Sequence, residues 1–181
     1  EKFQSSINVQ YNEYSAGGFT KASAFDRLMQ STGTETIHPI KILGDYSSIS
    51  NGFNKTAIMA ILNDYVFPRV SSVMSVKSNG KMPVIKSPAC GVTMPKNYTD
   101  GTLNYDYIIW VRTFFNPNTS AVASAGYCNL DSTNRPILGI MNINLNYFRV
   151  VGEDDFDYVG NVLTHELFHA LGFSGGMLNY F

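Results

Sequence analysis

Thr164-His165-Glu166-Leu167-Phe168-His169-Ala170-Leu171-Gly172-Phe173-Ser174 is the stretch on which the reading of this chain turns. It holds the pattern H-E-x-x-H, in which two imidazoles one helical turn apart can share a zinc ion while the glutamate handles a proton. Two of the chain's three histidines fall within it. At about 100° per residue, His165 and His169 lie within roughly 40° of one another on a helix, and Leu163, Leu167 and Leu171 gather on the opposite side. One face packs and the other presents ligands. Glu166 is too far round from His169 to be a third ligand, yet it can reach a water held by the ion, so its expected role is general base. A purely structural helix would need a separate buried partner for each of these polar groups, whereas a metal satisfies them together. The helix is expected over about 157 to 171. Asp154, Asp155 and Asp157 are its N-cap candidates, and Gly172 is suited to ending it.

Working outward, 181 residues give room for one domain with a sizeable core, or one domain plus an N-terminal extension. Hydrophobic residues make up 44% and charged residues 15%, a globular composition. The net charge of -1 supplies no electrostatic reason to expect nucleic acid or an acidic membrane as partner. No apolar run reaches the roughly 18 residues of a membrane span. The chain begins at Glu1 without a basic and apolar leader, so any signal peptide is expected to have been removed or never included. Cys90 and Cys128 lack C-x-x-C spacing and a neighbouring histidine, which argues against a second zinc site and leaves either a disulfide or two reduced core thiols. N-x-S/T sequons stand at Asn54, Asn97 and Asn118; they permit a secreted glycoprotein without establishing one.

Residues 1 to about 36 are polar and turn-rich, with one short helix expected at Ala22 to Met29, and read as an extension. His38, before Pro39, is expected at the surface and outside the site. Ile40 to Leu43 alternates like a first strand. Ile58, Ile61, Leu62, Tyr65 and Val66 recur with the period of a helix lying on a sheet, and Pro68 is expected to kink or end it. Met74 to Lys77 and Lys81 to Ile85 flank Asn79-Gly80 and predict a hairpin, followed by a loop from Ser87 to Asn104. Tyr105 to Phe115 is the strongest strand, apolar enough to be covered on both faces at the centre of a sheet. Ala121 to Cys128 and Ile137 to Ile143 are further strands. Pro136 suggests that the latter lies at an edge, where an extended peptide could add alongside.

These segments carry a resemblance. Thr164 with HELFHALGFS, Ala89-Cys90-Gly91-Val92, Met94-Pro95, Asp106 through Val111, Ala123 through Cys128, and Arg135 through Asn142 together resemble the leishmanolysin family, the surface zinc metalloproteases of the metzincin clan. The likeness covers roughly residues 38 to 181, so residues 1–37 are read as an N-terminal extension and 38–181 as the N-terminal part of a metalloprotease catalytic domain. It implies an α+β fold, the metzincin-like zincin N-terminal subdomain, with a twisted mixed sheet, a backing helix and an active-site helix. It also implies zinc held by His165 and His169, Glu166 as general base, and a disulfide between Cys90 and Cys128 suited to an extracellular or cell-surface setting.

Compact metzincins place a third histidine six residues after the second, where this chain has Gly175. Leishmanolysin-like enzymes insert a long segment first, so the third ligand and the Met-turn are expected beyond Phe181; Met177 is too near the helix to be that turn. The expected reaction is hydrolysis of peptide bonds in protein or peptide substrates by metal-activated water, with the isolated stretch inactive because two imidazoles hold zinc loosely. A gluzincin would need a downstream acidic ligand, and no Asp or Glu follows Glu166. The alternative of another class is a catalytically inactive cell-surface or adhesion protein that keeps the fold. Cleavage preference, latency, oligomeric state and any membrane anchor in a C-terminal region are left open.

Overall fold

Tyr107–Phe114 forms the spine of the sheet because its residues are apolar on both sides. The computed structural model describes residues 35–150 and 152–175. The chain divides into Glu1–Thr32 and Gly33–Phe181. The first unit, with the short helix expected at Ala22 to Met29, lies outside the described residues, as does Met177.

The described elements are strands β1 (Thr36–Pro39), β2 (Ile42–Asp45) and β3 (Ser75–Ser78), then β4 (Tyr107–Phe114), β5 (Ala123–Leu130) and β6 (Pro136–Asn144). Helices are α1 (Phe53–Ala60), α2 (Phe67–Val73), α3 (Lys96–Thr99) and α4 (Glu153–Ala170). The main sheet has the order β2-β4-β6-β5, with β2, β4 and β6 parallel and β5 antiparallel to β6. This is the mixed α+β architecture expected from the sequence. Alternate residues of β4 serve two layers. Tyr107, Ile109 and Val111 join Met141, Ile143 and the helices in one core, while Ile108 joins Leu138, Met82, Ile85 and Tyr98 in another.

Five local expectations are corrected. Of the two outcomes expected at Pro68, a kink or an end, the helix does not end: the chain winds as a π-helix over Ile61–Val66 and continues through α2 to Val73. Proline offers no N–H and its ring presses on the carbonyl four residues back, and the wider turns just before it relieve both problems. The Asn79-Gly80 hairpin does not form either. β3 pairs with β1, while Met82 and Ile85 donate their N–H groups to Leu103 and Tyr98. Side chains claim the turn's donors, since Gly80 N–H bonds Ser78 Oγ and Lys81 N–H bonds Asn79 Oδ1.

His38 is not a surface residue. Its side chain is 19% exposed, its Nε2 lies 2.9 Å from Ser78 Oγ, and Ser78 donates to buried Asp106 at 2.8 Å. It ties the β1–β3 ribbon to the start of β4 and stays apart from helix α4. The fourth correction concerns the edge. β6, despite Pro136, is internal, buried at Ile137, Leu138, Gly139, Met141 and Ile143; β5 is the edge strand on that side of the sheet and β2 on the other. Proline is tolerated because it occupies the first residue of β6.

Helix α4 lies across the β5–β6 side of the sheet, against the π-helical segment. Tyr107, fully buried, donates its hydroxyl to Ala170 O at 2.8 Å. Gly139 makes room for this bond: a Cβ there would overlap the Tyr107 hydroxyl. At the other end, Gly160 lets the Tyr65 ring lie against the helix, and Phe156 meets that ring edge-on at 5.5 Å. The helix begins at Glu153 after Gly152 with no side-chain cap, so Asp154, Asp155 and Asp157 are residues of the first turns and not caps. Gly172, at φ 102°, turns the chain away from its end.

Candidate metal centre

The packing of α4 decides which way its polar face looks. Leu163, Leu167 and Ala170 are fully buried in the helix-side core, which leaves His165, Glu166 and His169 on the helix's outer side, with Glu166 reaching β5. His165 Nε2 and His169 Nε2 converge to 3.0 Å, with the two rings nearly perpendicular at 86°. Two nitrogens bound to one tetrahedral zinc at about 2.0–2.1 Å would stand roughly 3.3 Å apart. The separation of the pair is close to that spacing, and it is equally that of an imidazole–imidazole hydrogen bond. Two bare lone pairs this close repel each other, and a cation or a shared proton between them removes the repulsion.

The tautomer of His169 follows from its other nitrogen. Nδ1 lies 2.9 Å from Phe173 O, an atom that can only accept, so Nδ1 carries the proton and Nε2 is the bare nitrogen. Phe173 O reaches this position because the chain reverses at Gly172, with Phe173 N–H bonded to Phe168 O and the Phe168 and Phe173 rings meeting edge-on at 5.4 Å. Such outer hydrogen bonds fix ring orientation in metal sites.

Glu166 is tethered to the edge strand. Its Oε2 accepts the Ala125 N–H at 2.9 Å, a donor that the β5–β6 ladder leaves free. Partial burial pushes the Glu166 carboxyl above the usual range, opposed by the Ala125 hydrogen bond. A carboxylate made more basic in this way suits proton abstraction near neutral pH.

Of the residues singled out by the motif, the two histidines thus come together, and Glu166, on the same helix, is bonded to β5. Cys90 and Cys128 do not join them: they form a disulfide with a Cα–Cα distance of 5.2 Å, linking the loop on the second face of the sheet to β5. Among the described residues no cluster of three or more His, Cys, Asp and Glu could hold a metal, so a third ligand is not found there. Sequence reasoning missed the Ala125 N–H, the Phe173 carbonyl and the Tyr107 strut. The first two are backbone atoms that no residue pattern marks, and the only trace of the third was a glycine, Gly139, within an otherwise bulky strand.

Comparison with known proteins bears on the same region. The sequence model described as leishmanolysin matches residues 61–181. A protein named leishmanolysin from Leishmania chagasi is 36% identical over 83 residues, which are 45% of this chain and 13% of the relative. Another of that name, from Leishmania donovani, is 32% identical over 105 residues, 56% of this chain and 17% of the relative. The matched region spans less than a fifth of the length of these curated relatives.

Proposed function

Because the chain belongs to the leishmanolysin family, we propose that it carries the first part of a zinc-dependent endopeptidase site that hydrolyses peptide bonds in protein or peptide substrates. The observation that carries this reading is the convergence of His165 and His169 Nε2 to 3.0 Å on the helix face that also presents Glu166. When bound there, zinc supplies Lewis acidity, polarising the scissile carbonyl and acidifying a water molecule. Glu166 takes the proton of that attacking water and delivers it to the leaving amine. The Ala125 hydrogen bond holds one carboxylate oxygen of Glu166 and leaves the other to work.

Substrate placement falls to β5. As the sheet's edge beside α4, it offers main-chain groups to an extended peptide, and its tether to Glu166 sets the distance between that peptide and the base. A third protein ligand leaves one coordination position for water, and this reading assigns it to residues outside those described. The Cys90–Cys128 disulfide supports an extracellular or cell-surface setting.

Zinc content and cleavage of an unfolded protein substrate test the proposal in a form of the enzyme that includes the third ligand. Wild type should bind one zinc per chain; Glu166→Gln should keep the metal and lose about 10²- to 10⁴-fold in turnover. A zinc-free protein without proteolysis would sink the enzyme reading in favour of a non-catalytic surface protein.

A further inference from the structure

We propose that Asn118 carries an N-linked oligosaccharide that covers an aromatic patch at the tip of the β4–β5 connection. Of the three sequons, Asn54 lies in the first turn of α1, where the Thr56 hydroxyl donates to Gly52 O at 3.3 Å. Asn97 lies in the single turn of α3, next to buried Tyr98, and the Thr99 hydroxyl donates to Lys96 O at 2.9 Å. At both, the hydroxyl that completes the sequon is bonded back to the helix. Asn118 differs. It is exposed in the turn after β4, and neither its side-chain amide nor the Ser120 hydroxyl has a hydrogen bond among the described residues.

That turn is held from beneath. Fully buried Asn144 accepts the Asn116 N–H and donates its amide to Asn116 O and Ala121 O. The Asn118 N–H bonds Asn116 Oδ1 at 2.9 Å, and the Ala121 N–H bonds Thr119 Oγ1. A fixed backbone therefore presents the Asn118 side chain outward. Around it lie aromatic rings facing water: Phe115 is 70% exposed, Phe114 37% and Tyr147 36%. The Tyr147 hydroxyl donates to Pro117 O at 3.2 Å, which sets its ring beside the sequon.

Exposed aromatic side chains beside a turn gain from a cover. The sequon in the same turn names it, because sugar C–H groups lie favourably on aromatic faces while the glycan's hydroxyls keep the surface solvated. In the transfer step, Asn118 Nδ2 forms a bond to the anomeric carbon of an oligosaccharide activated on a lipid pyrophosphate. The carbon–oxygen bond to phosphate breaks, the lipid pyrophosphate leaves with the electron pair, and Nδ2 gives up one proton. The inference depends on passage through an oxidising, glycosylating compartment and not on catalysis, so the two proposals fail separately.

The test uses the chain secreted from a glycosylating host, with peptides mapped before and after peptide:N-glycosidase treatment and the Cys90–Cys128 linkage read in the same digest. Wild type should show a glycan on Asn118, lost in both Asn118→Gln and Ser120→Ala. Removing it enzymatically should raise binding of a hydrophobic dye several-fold, and Phe115→Ser should abolish most of that rise. An unmodified Asn118 in disulfide-linked protein would overturn the site. Unchanged dye binding after deglycosylation would overturn the covering role.

Discussion

Glu166 owes its position to a backbone N–H forty-one residues away in sequence, that of Ala125, and His169 owes its tautomer to the carbonyl of Phe173. At the residue scale the motif therefore supplies the chemical groups, and main-chain atoms aim them. Side-chain contacts far from the helix follow the same logic on the other face. Tyr98 donates its hydroxyl to Asp45 at 2.6 Å, and Ser47 N–H bonds the other carboxylate oxygen at 2.8 Å. Burial alone would raise the Asp45 carboxyl, but the hydrogen bonds from Ser47 and Tyr98 outweigh it and bring it below its ordinary value; burial and Asp45 together raise the Tyr98 hydroxyl. Asp45 thus contributes stability that is present above its unfolded value and lost as pH falls through its folded one. The raised Tyr98 hydroxyl contributes stability that is full below about pH 10 and lost above it. Tyr98→Phe should cost about 1 kcal/mol, allowing for solvent at half-exposed Asp45. Denaturant melts should show that deficit constant between about pH 4 and 10 and shrinking on either side; a deficit independent of pH would assign it to packing instead.

At the scale of elements, α4 is held at both ends by aromatic side chains that cross over glycines. Tyr65 lies against Gly160 near the start, and Tyr107 passes Gly139 to reach the Ala170 carbonyl at the end. That carbonyl belongs to the last turn, where helix geometry provides no partner, and it is buried where water cannot serve as one. Tyr107→Phe should therefore destabilise the protein by about 1–3 kcal/mol in equilibrium unfolding. Because Ala170 follows His169 directly, the same variant should also bind zinc more weakly, by about 10-fold if the helix end shifts. Unchanged stability and zinc affinity would show that Tyr107 only fills space. The edge strand was misassigned from sequence for a reason seen at this scale. Pro136 marks an edge only if its missing N–H lies inside the ladder, and here it stands at the strand's first residue, which leaves β5 outermost.

At the scale of the whole molecule, the Cys90–Cys128 disulfide closes a segment with a sequence separation of 38 and fastens the layer built from Met82, Ile85, Met94 and Tyr98 to the strand that carries Ala125. Loop-closure entropy for a segment of that length is worth about 4 kcal/mol, and Cys90→Ser with Cys128→Ser should lose much of it in thermal or denaturant unfolding. A loss below about 1 kcal/mol would mean that the apolar layer holds itself in place. The sequence by itself determined the helix that carries His165, Glu166 and His169, the doubly covered β4 and the α+β class, because each of these is written in local periodicity and residue type. The structure alone decided that β5 is the edge, that Ser75–Ser78 pairs with Thr36–Pro39 and not with the residues after Asn79-Gly80, and that Glu166 is held by Ala125. Those outcomes depend on backbone donors and acceptors choosing among partners distant in the chain, a competition that only the packed arrangement resolves.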